Sequence, residues 1–134
     1  MPPPRHNLAV PAVQLDPTVT ARTFVEALLA GRVEAAAGCF DPVGVILSAD
    51  GTEIVGQKGI AEFLSQLGGP QTGLRIRIGR TLRAGPVALA TQIWDREIDG
   101  FTVSSTARLV LHESHGGWSI LVASPWGERL GAPI

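Results

Sequence analysis

The sequence predicts an α+β fold: a cone-shaped, curved, mixed but mostly antiparallel sheet wrapped around three N-terminal helices in a single domain. Three observations carry that expectation. The first half holds three stretches with apolar residues at helical spacing, the second and third separated by a tight hairpin. The second half is a series of alternating, β-rich segments joined by short glycine turns, the pattern of an antiparallel meander. The chain of 134 residues is 45% hydrophobic against 17% charged, a balance that suits one globular domain and opposes disorder. A chain of this length buries about two thirds of the surface that its unfolded form exposes.

Residues 1–15, with Pro2, Pro3, Pro4 and Pro11, are expected to be an extended lead-in. The domain is expected over 16–128, followed by a short tail over 129–134. Asp16-Pro17 opens the first helix, because proline at the first helical position loses an N–H that has no partner there anyway. Ala21, Phe24, Val25 and Leu28 fall at i, i+3, i+4 and i+7, and Gly31 supplies a left-handed stop. Val33, Ala36, Ala37 and Phe40 repeat the spacing in a second short helix that is expected to run to Phe40. Strands over Val43–Ser48 and Thr52–Val55 flank Ala49-Asp50-Gly51, a hairpin turn in which glycine accepts the positive φ. Gly56 opens the third helix, whose stripe is Ile60, Phe63, Leu64 and Leu67. After the loop Gly68-Gly69-Pro70, Leu74 to Ile78 alternate as a half-buried strand. Val87–Ile98 and Phe101–His112 form a long hairpin around Asp99-Gly100, and Trp118–Ser124 makes the last strand after Ser114-His115-Gly116-Gly117.

Composition removes several function classes. A net charge of -1 gives no electrostatic footprint for nucleic acid or an anionic membrane, so neither is expected as a partner. Cys39 is the single cysteine, which leaves no intrachain disulfide and no cysteine zinc cluster. A reducing cytoplasm is the expected location. Residues 1–15 lack the charged start and apolar run of a secretory signal, and no apolar stretch approaches bilayer length. No phosphate loop, dinucleotide fingerprint or nucleophile elbow is present, and no cofactor is expected.

Helix, short helix, hairpin, helix and then long curved strands is an order that resembles the nuclear transport factor 2-like superfamily. Within it, the chain is most similar to the SnoaL-like and ketosteroid isomerase-like group. The resemblance rests on Phe24-Val25-Glu26-Ala27-Leu28-Leu29-Ala30-Gly31, on Cys39-Phe40-Asp41, on Asp50-Gly51-Thr52 followed by Val55-Gly56, and on the Gly-Gly-Trp ending at Trp118. It spans about Asp16 to Glu128 and is specific for fold far more than for function, since one scaffold hosts many reactions.

Carried over residue by residue, the isomerase machinery is missing. The tyrosine that the resemblance implies on the first helix falls on Phe24, and the chain contains no tyrosine. The general-base aspartate falls near Leu47 or Ser48, and the protonated aspartate near Arg108 or Leu109. Steroid isomerisation through that acid/base pair is therefore not expected. Asp95-Arg96-Glu97 does not supply the aspartate–arginine–aspartate set of the epoxide hydrolases either, because adjacent strand residues point to opposite faces.

In the resembling register, Gln92, Trp94 and Arg96 face the inside of the sheet with Ser105, Ala107, Ser124 and Trp126 across from them, while Phe24 and Ser48 close the floor. The expected pocket is thus Phe24, Ser48, Gln92, Trp94, Ser105, Ser124 and Trp126, apolar and aromatic with a few polar handles, as small-molecule sites are. Alternatively, the tryptophans are core residues with local partners for their N–H groups. Burial of Gln92 decides more, because an amide in mid-strand needs partners or water. His112 and His115, flanking Glu113, read as a solvated turn and not a metal site, since no further ligand cluster accompanies them. Cys39 reads as a small core residue. Arg75 and Arg77 share a strand face near Arg80 and Arg83, a solvated face or a subunit contact.

The expected function is binding of an apolar small molecule, with cyclase, isomerase or lyase chemistry on a cyclic or polyketide-like substrate. The alternative is a non-catalytic module for ligand sensing or protein assembly. Leu89, Thr91 and Ile93 make the opposite sheet face more apolar than a solvated face needs, and with the resemblance this implies a homodimer.

Overall fold

The Asp16 carboxylate accepts the Thr18 N–H at 2.8 Å and Pro17 takes the first helical position, so helix α1 (Pro17–Leu29) starts where the sequence places it. In the computed structural model residues 16–67 and 73–127 are described. The expected lead-in, the loop at 68–70 and the tail lie outside the described residues. Helix α1 buries Thr20, Ala21, Phe24, Val25 and Leu28 along one side. It ends in a Schellman arrangement: Gly31 at φ 78, with Arg32 N–H donating to Ala27 O and Gly31 N–H to Leu28 O.

Helix α2 (Val33–Ala37) is shorter than its periodicity predicts. Phe40 does not extend it; it opens strand β1 (Phe40–Leu47), because Ile120 N–H donates to Cys39 O at 2.8 Å and Phe40 pairs with Ile120. A strand partner 80 residues away, counting from Phe40 to Ile120, overrides the local helical spacing. Strand β2 (Glu53–Val55) returns antiparallel to β1, and helix α3 (Gln57–Leu64) follows Gly56 at φ 89. Gln57 Nε2 donates to Phe40 O at 2.7 Å and ties α3 to the start of β1.

Strand β3 (Arg75–Ala84) runs past the expected end at Ile78. The register shifts between Ile78 and Thr81, and Gly79 permits that irregularity: a Cβ there would meet Thr91 O at 2.7 Å. Strands β4 (Val87–Ile98), β5 (Phe101–Ser114) and β6 (Gly117–Ser124) complete the meander. Asp99 and Gly100 (φ 52 and 80) and His115 and Gly116 (φ 52 and 76) turn the two hairpins. Positive φ at both central residues is the twist-matched solution for a two-residue loop.

The result is an open six-stranded sheet in the order β2-β1-β6-β5-β4-β3, parallel only between β1 and β6. The α+β class and its mixed, mostly antiparallel sheet are as the sequence predicts. No helix among the described residues is long and apolar enough to cross a membrane.

Side chains directly opposite in a ladder share a face, so the register sorts the sheet into two sides. Helices cover the side of Phe40, Ile46, Ala88, Ala90, Gln92, Trp94, Ala107, Leu109, Leu111, Ile120 and Ala123, all buried. On the open side, one row crosses every strand: Leu82 opposite Leu89, Leu89 opposite Val110, Val110 opposite Val122, Val122 beside Val45, and Val45 opposite Val55. All six are aliphatic, and the outermost two, Leu82 and Val55, are 50% and 59% exposed.

Candidate functional site

The covered face carries an aromatic cluster at one end of the sheet. Phe24 on α1 stacks on Trp94 of β4 at 6.3 Å between ring centroids and meets Phe40 edge-on at 5.5 Å. Trp126, just beyond β6, meets Trp94 edge-on at 5.6 Å. The Arg96 guanidinium lies 4.1 Å from the centroid of Trp126, a cation–π contact at the rim of the cluster. Phe24, Trp94, Trp126 and Arg96 are therefore brought together, on the strand side that alternation assigns to Trp94 and Arg96.

Gln92 lies on the same face, two residues before Trp94, and is 0% exposed. Its Oε1 accepts the Trp94 Nε1–H at 2.9 Å, while its Nε2 is buried without a hydrogen-bond partner. Gln92 is thus the residue whose burial is complete and whose polar demand is half met. The surrounding ladder positions are small or apolar: Ala107 and Ile78 opposite, Ala90 two residues back.

Ser105 sits opposite Trp94 and donates its hydroxyl to Pro125 O at 2.8 Å, fixing the chain that presents Trp126. Its proton is already committed. Ser124 does not join the cluster. It lies opposite Arg108 on β5, and Arg108 belongs to the open side. The register shifts between Val110 and Leu111, where β6 contributes both Leu121 and Val122, so plain alternation is displaced by one residue and Ala123 takes the covered position opposite Leu109. Ser48 is also elsewhere. It follows β1 in the hairpin turn, its hydroxyl donating to the Asp50 carboxylate and its oxygen accepting Thr52 N–H at 3.1 Å. That hydroxyl, with help from Thr52, holds the Asp50 carboxyl down at about 2. Both serines are corrected by geometry: one by a bulge, the other by a turn that uses it locally.

One polar arrangement has no counterpart in the sequence pattern. His112 Nε2 lies 2.8 Å from Asp41 Oδ2, across β6. His112 is therefore half-buried and partnered, not a free member of a solvated turn. Asp41 also accepts Val43 N–H at 3.0 Å. The Val43 backbone bond first, and the His112 contact next, hold its carboxyl below the usual range. A separation of 71 residues leaves no local signal for this pair. Nearby, a cleft of about 460 Å³ is lined by Phe40, Asp41, Gln57, Ser114, His115 and Trp118, among others. Trp118 Nε1 is buried without a partner, and the Arg83 guanidinium lies 4.9 Å from the centroid of the Trp118 ring. Cys39 Sγ lies 3.6 Å from Ala35 O, and burial pushes its thiol up to about 11. A thiol so protonated is a core group and a poor nucleophile. Arg77 pairs with Asp95 at 3.4 Å on the open side.

An open, mixed six-stranded sheet with three helices on one face is the architecture expected of the nuclear transport factor 2-like class of domain. Within that class, the SnoaL-like domain model matches residues 21–118, and the chain belongs to that family. None of the curated proteins matches it in sequence. Among solved structures, it is similar to a domain of unknown function with a cystatin-like fold from Nostoc punctiforme (TM-score 0.68, 21% identity, 84% of this chain and 76% of that one). It is also similar to a ketosteroid isomerase-like protein from Erwinia carotovora atroseptica (TM-score 0.63, 15% identity, 90% and 95% covered). A third is a protein of ketosteroid isomerase-like fold from Catenulispora acidiphila in complex with trimethylamine (TM-score 0.63, 14% identity, 78% and 82% covered). At these identities the likeness is one of fold.

Proposed function

We propose that this chain binds an apolar small molecule on the covered face of its sheet, among Phe24, Gln92, Trp94, Ser105 and Trp126. It acts there as a cofactor-independent cyclase, isomerase or lyase on a cyclic or polyketide-like substrate. The observation that carries the proposal is Gln92: a fully buried amide whose Nε2 has no partner. Leaving such a donor unsatisfied costs about 1–3 kcal/mol; the amide oxygen serves the Trp94 N–H, but the NH₂ end serves no group of the protein and is available to a ligand. The cluster supplies no carboxylate or free hydroxyl for proton transfer. Rate enhancement at such a site comes from shape, by holding a flexible substrate in its reactive conformer. Mass spectrometry of protein released from fresh native preparations is expected to give an apolar, ring-containing compound at near-stoichiometric amount. Repeated preparations free of any such compound, from hosts that do and do not contain the source metabolites, would remove the proposal.

The aliphatic row on the open face favours a second function beside the first, pairing with another copy through that face. Six aliphatic side chains in line across the sheet are more than a solvated surface needs. Light scattering at micromolar concentration is expected to give twice the 14.1 kDa chain mass, and Val110→Arg, at the centre of the row, is expected to return the monomer. A parent protein of monomer mass would contradict it, since an interface of standard size holds at that concentration.

A further inference from the structure

Given the small-molecule site proposed above, we infer that its ligand carries an uncharged hydrogen-bond acceptor, a ketone, ester or lactone carbonyl, and that Gln92 Nε2 is the donor that orients it.

The direction of the Gln92 amide is fixed by its neighbour. The indole N–H of Trp94 can only donate, so the group 2.9 Å from it must be the amide oxygen. The NH₂ end therefore points away from Trp94, into surroundings where it has no partner. The ladder positions around it, Ile78, Ala90 and Ala107, carry no side-chain acceptor.

The other polar groups of the cluster are spent. Ser105 donates to Pro125 O, Trp94 N–H donates to Gln92, and the Arg96 guanidinium lies over the Trp126 ring at the rim. Ser124 and Ser48 are outside the cluster. One neutral donor with two N–H bonds is left buried without a partner. A carbonyl satisfies it. A donor-only group such as an ammonium would leave both sides unpaired, and a carboxylate beside Gln92 would place a full charge against alanines with only an amide to answer it. The Trp94 N–H, by donating to the amide oxygen, polarises the amide and makes its NH₂ a better donor. An amide has no proton to give at neutral pH, so Gln92 positions and polarises the carbonyl without transferring a proton to it.

The test uses matched pairs differing only in the carbonyl: cyclohexanone and cyclohexane, 1-tetralone and tetralin, 9-fluorenone and fluorene, titrated into the full chain. For the pair that fits, the ketone is expected to bind about three- to tenfold more tightly, the worth of one neutral hydrogen bond. Its carbonyl stretch is expected to move to lower frequency on binding. Gln92→Met is expected to abolish both the preference and the shift while retaining the hydrocarbon. Because Gln92→Met also strands the Trp94 N–H, Gln92→Glu is the companion variant. It keeps an acceptor for Trp94, and burial raises the pKa of its carboxyl. Ketone preference is therefore expected below that raised pKa, where the carboxyl can donate, and is lost above it, whereas the parent shows no such dependence. Equal binding of ketone and hydrocarbon, with no infrared shift, overturns the donor role and leaves the apolar site standing. Failure of every compound to bind overturns the site itself.

Discussion

Replacing Phe24 by alanine is expected to destabilise the protein by about 3–5 kcal/mol, the range for deleting a large buried aromatic. Phe24 is 0% exposed and is the point where α1 meets the sheet: one ring edge on Phe40 at 5.5 Å, one face on Trp94 at 6.3 Å. Alanine removes both aromatic contacts, each worth about 0.5–1.5 kcal/mol beyond the area it buries. It also leaves a void that the two remaining rings, Phe40 on β1 and Trp94 on β4, cannot easily close. For a protein with a total stability of roughly 5–15 kcal/mol, that is a large share. Urea unfolding should show the midpoint falling sharply with the slope unchanged. A loss under about 1 kcal/mol would mean that Phe24 faces space, not packed atoms.

What the sequence made legible follows from the range of the interactions concerned. The start and stop of α1 were readable because both are local: Asp16 caps two residues away and Gly31 supplies its own φ. The hairpins at Asp99-Gly100 and His115-Gly116 announce themselves for the same reason. Alternation along β4 placed Gln92, Trp94 and Arg96 correctly on one face because β4 pairs with β5 in unbroken register from Val87 to Ile98. Apart from Ser48, which its own turn engages through Asp50 and Thr52, the misplacements involve a partner distant in sequence. Phe40 leaves its helix for a strand pairing with Ile120, and His112 leaves its turn for Asp41. Ser124 changes face because β6 carries an extra residue against β5. A period of two converts a one-residue slip into the opposite side of the sheet, and nothing in Ile120-Leu121-Val122-Ala123 marks where the slip occurs. For the site, the sequence offered residue types and a face. The state of each polar group, spent at Ser105 and free at Gln92, depended on contacts with Pro125 and Trp94 that alternation alone does not specify.

The pair Ala107→Phe and Ser124→Trp separates a ligand site from a filled core, because the register puts the two residues on opposite faces. Ala107 lies directly opposite Gln92 under the helices, so a phenyl ring there enters whatever space Nε2 faces. With a ligand site over Gln92, Ala107→Phe is expected to melt within a few degrees of the parent and to bind the favoured ketone at least tenfold more weakly, since the ring occupies the ligand's volume. With a filled interior, the same change forces neighbouring side chains out of their rotamers and costs about 1–3 kcal/mol or more. The parent would then bind no probe. Ser124→Trp is the control. It adds a larger ring beside Arg108 on the open face, where ketone affinity is expected to stay within about twofold of the parent. Its expected effect is on mass: a bulky side chain one row from Leu89, Val110 and Val122 weakens the pairing of two copies, and light scattering should move toward the monomer. Loss of ketone binding in Ser124→Trp together with unchanged mass would reverse the assignment of faces at the end of β6. It would restore Ser124 to the covered side.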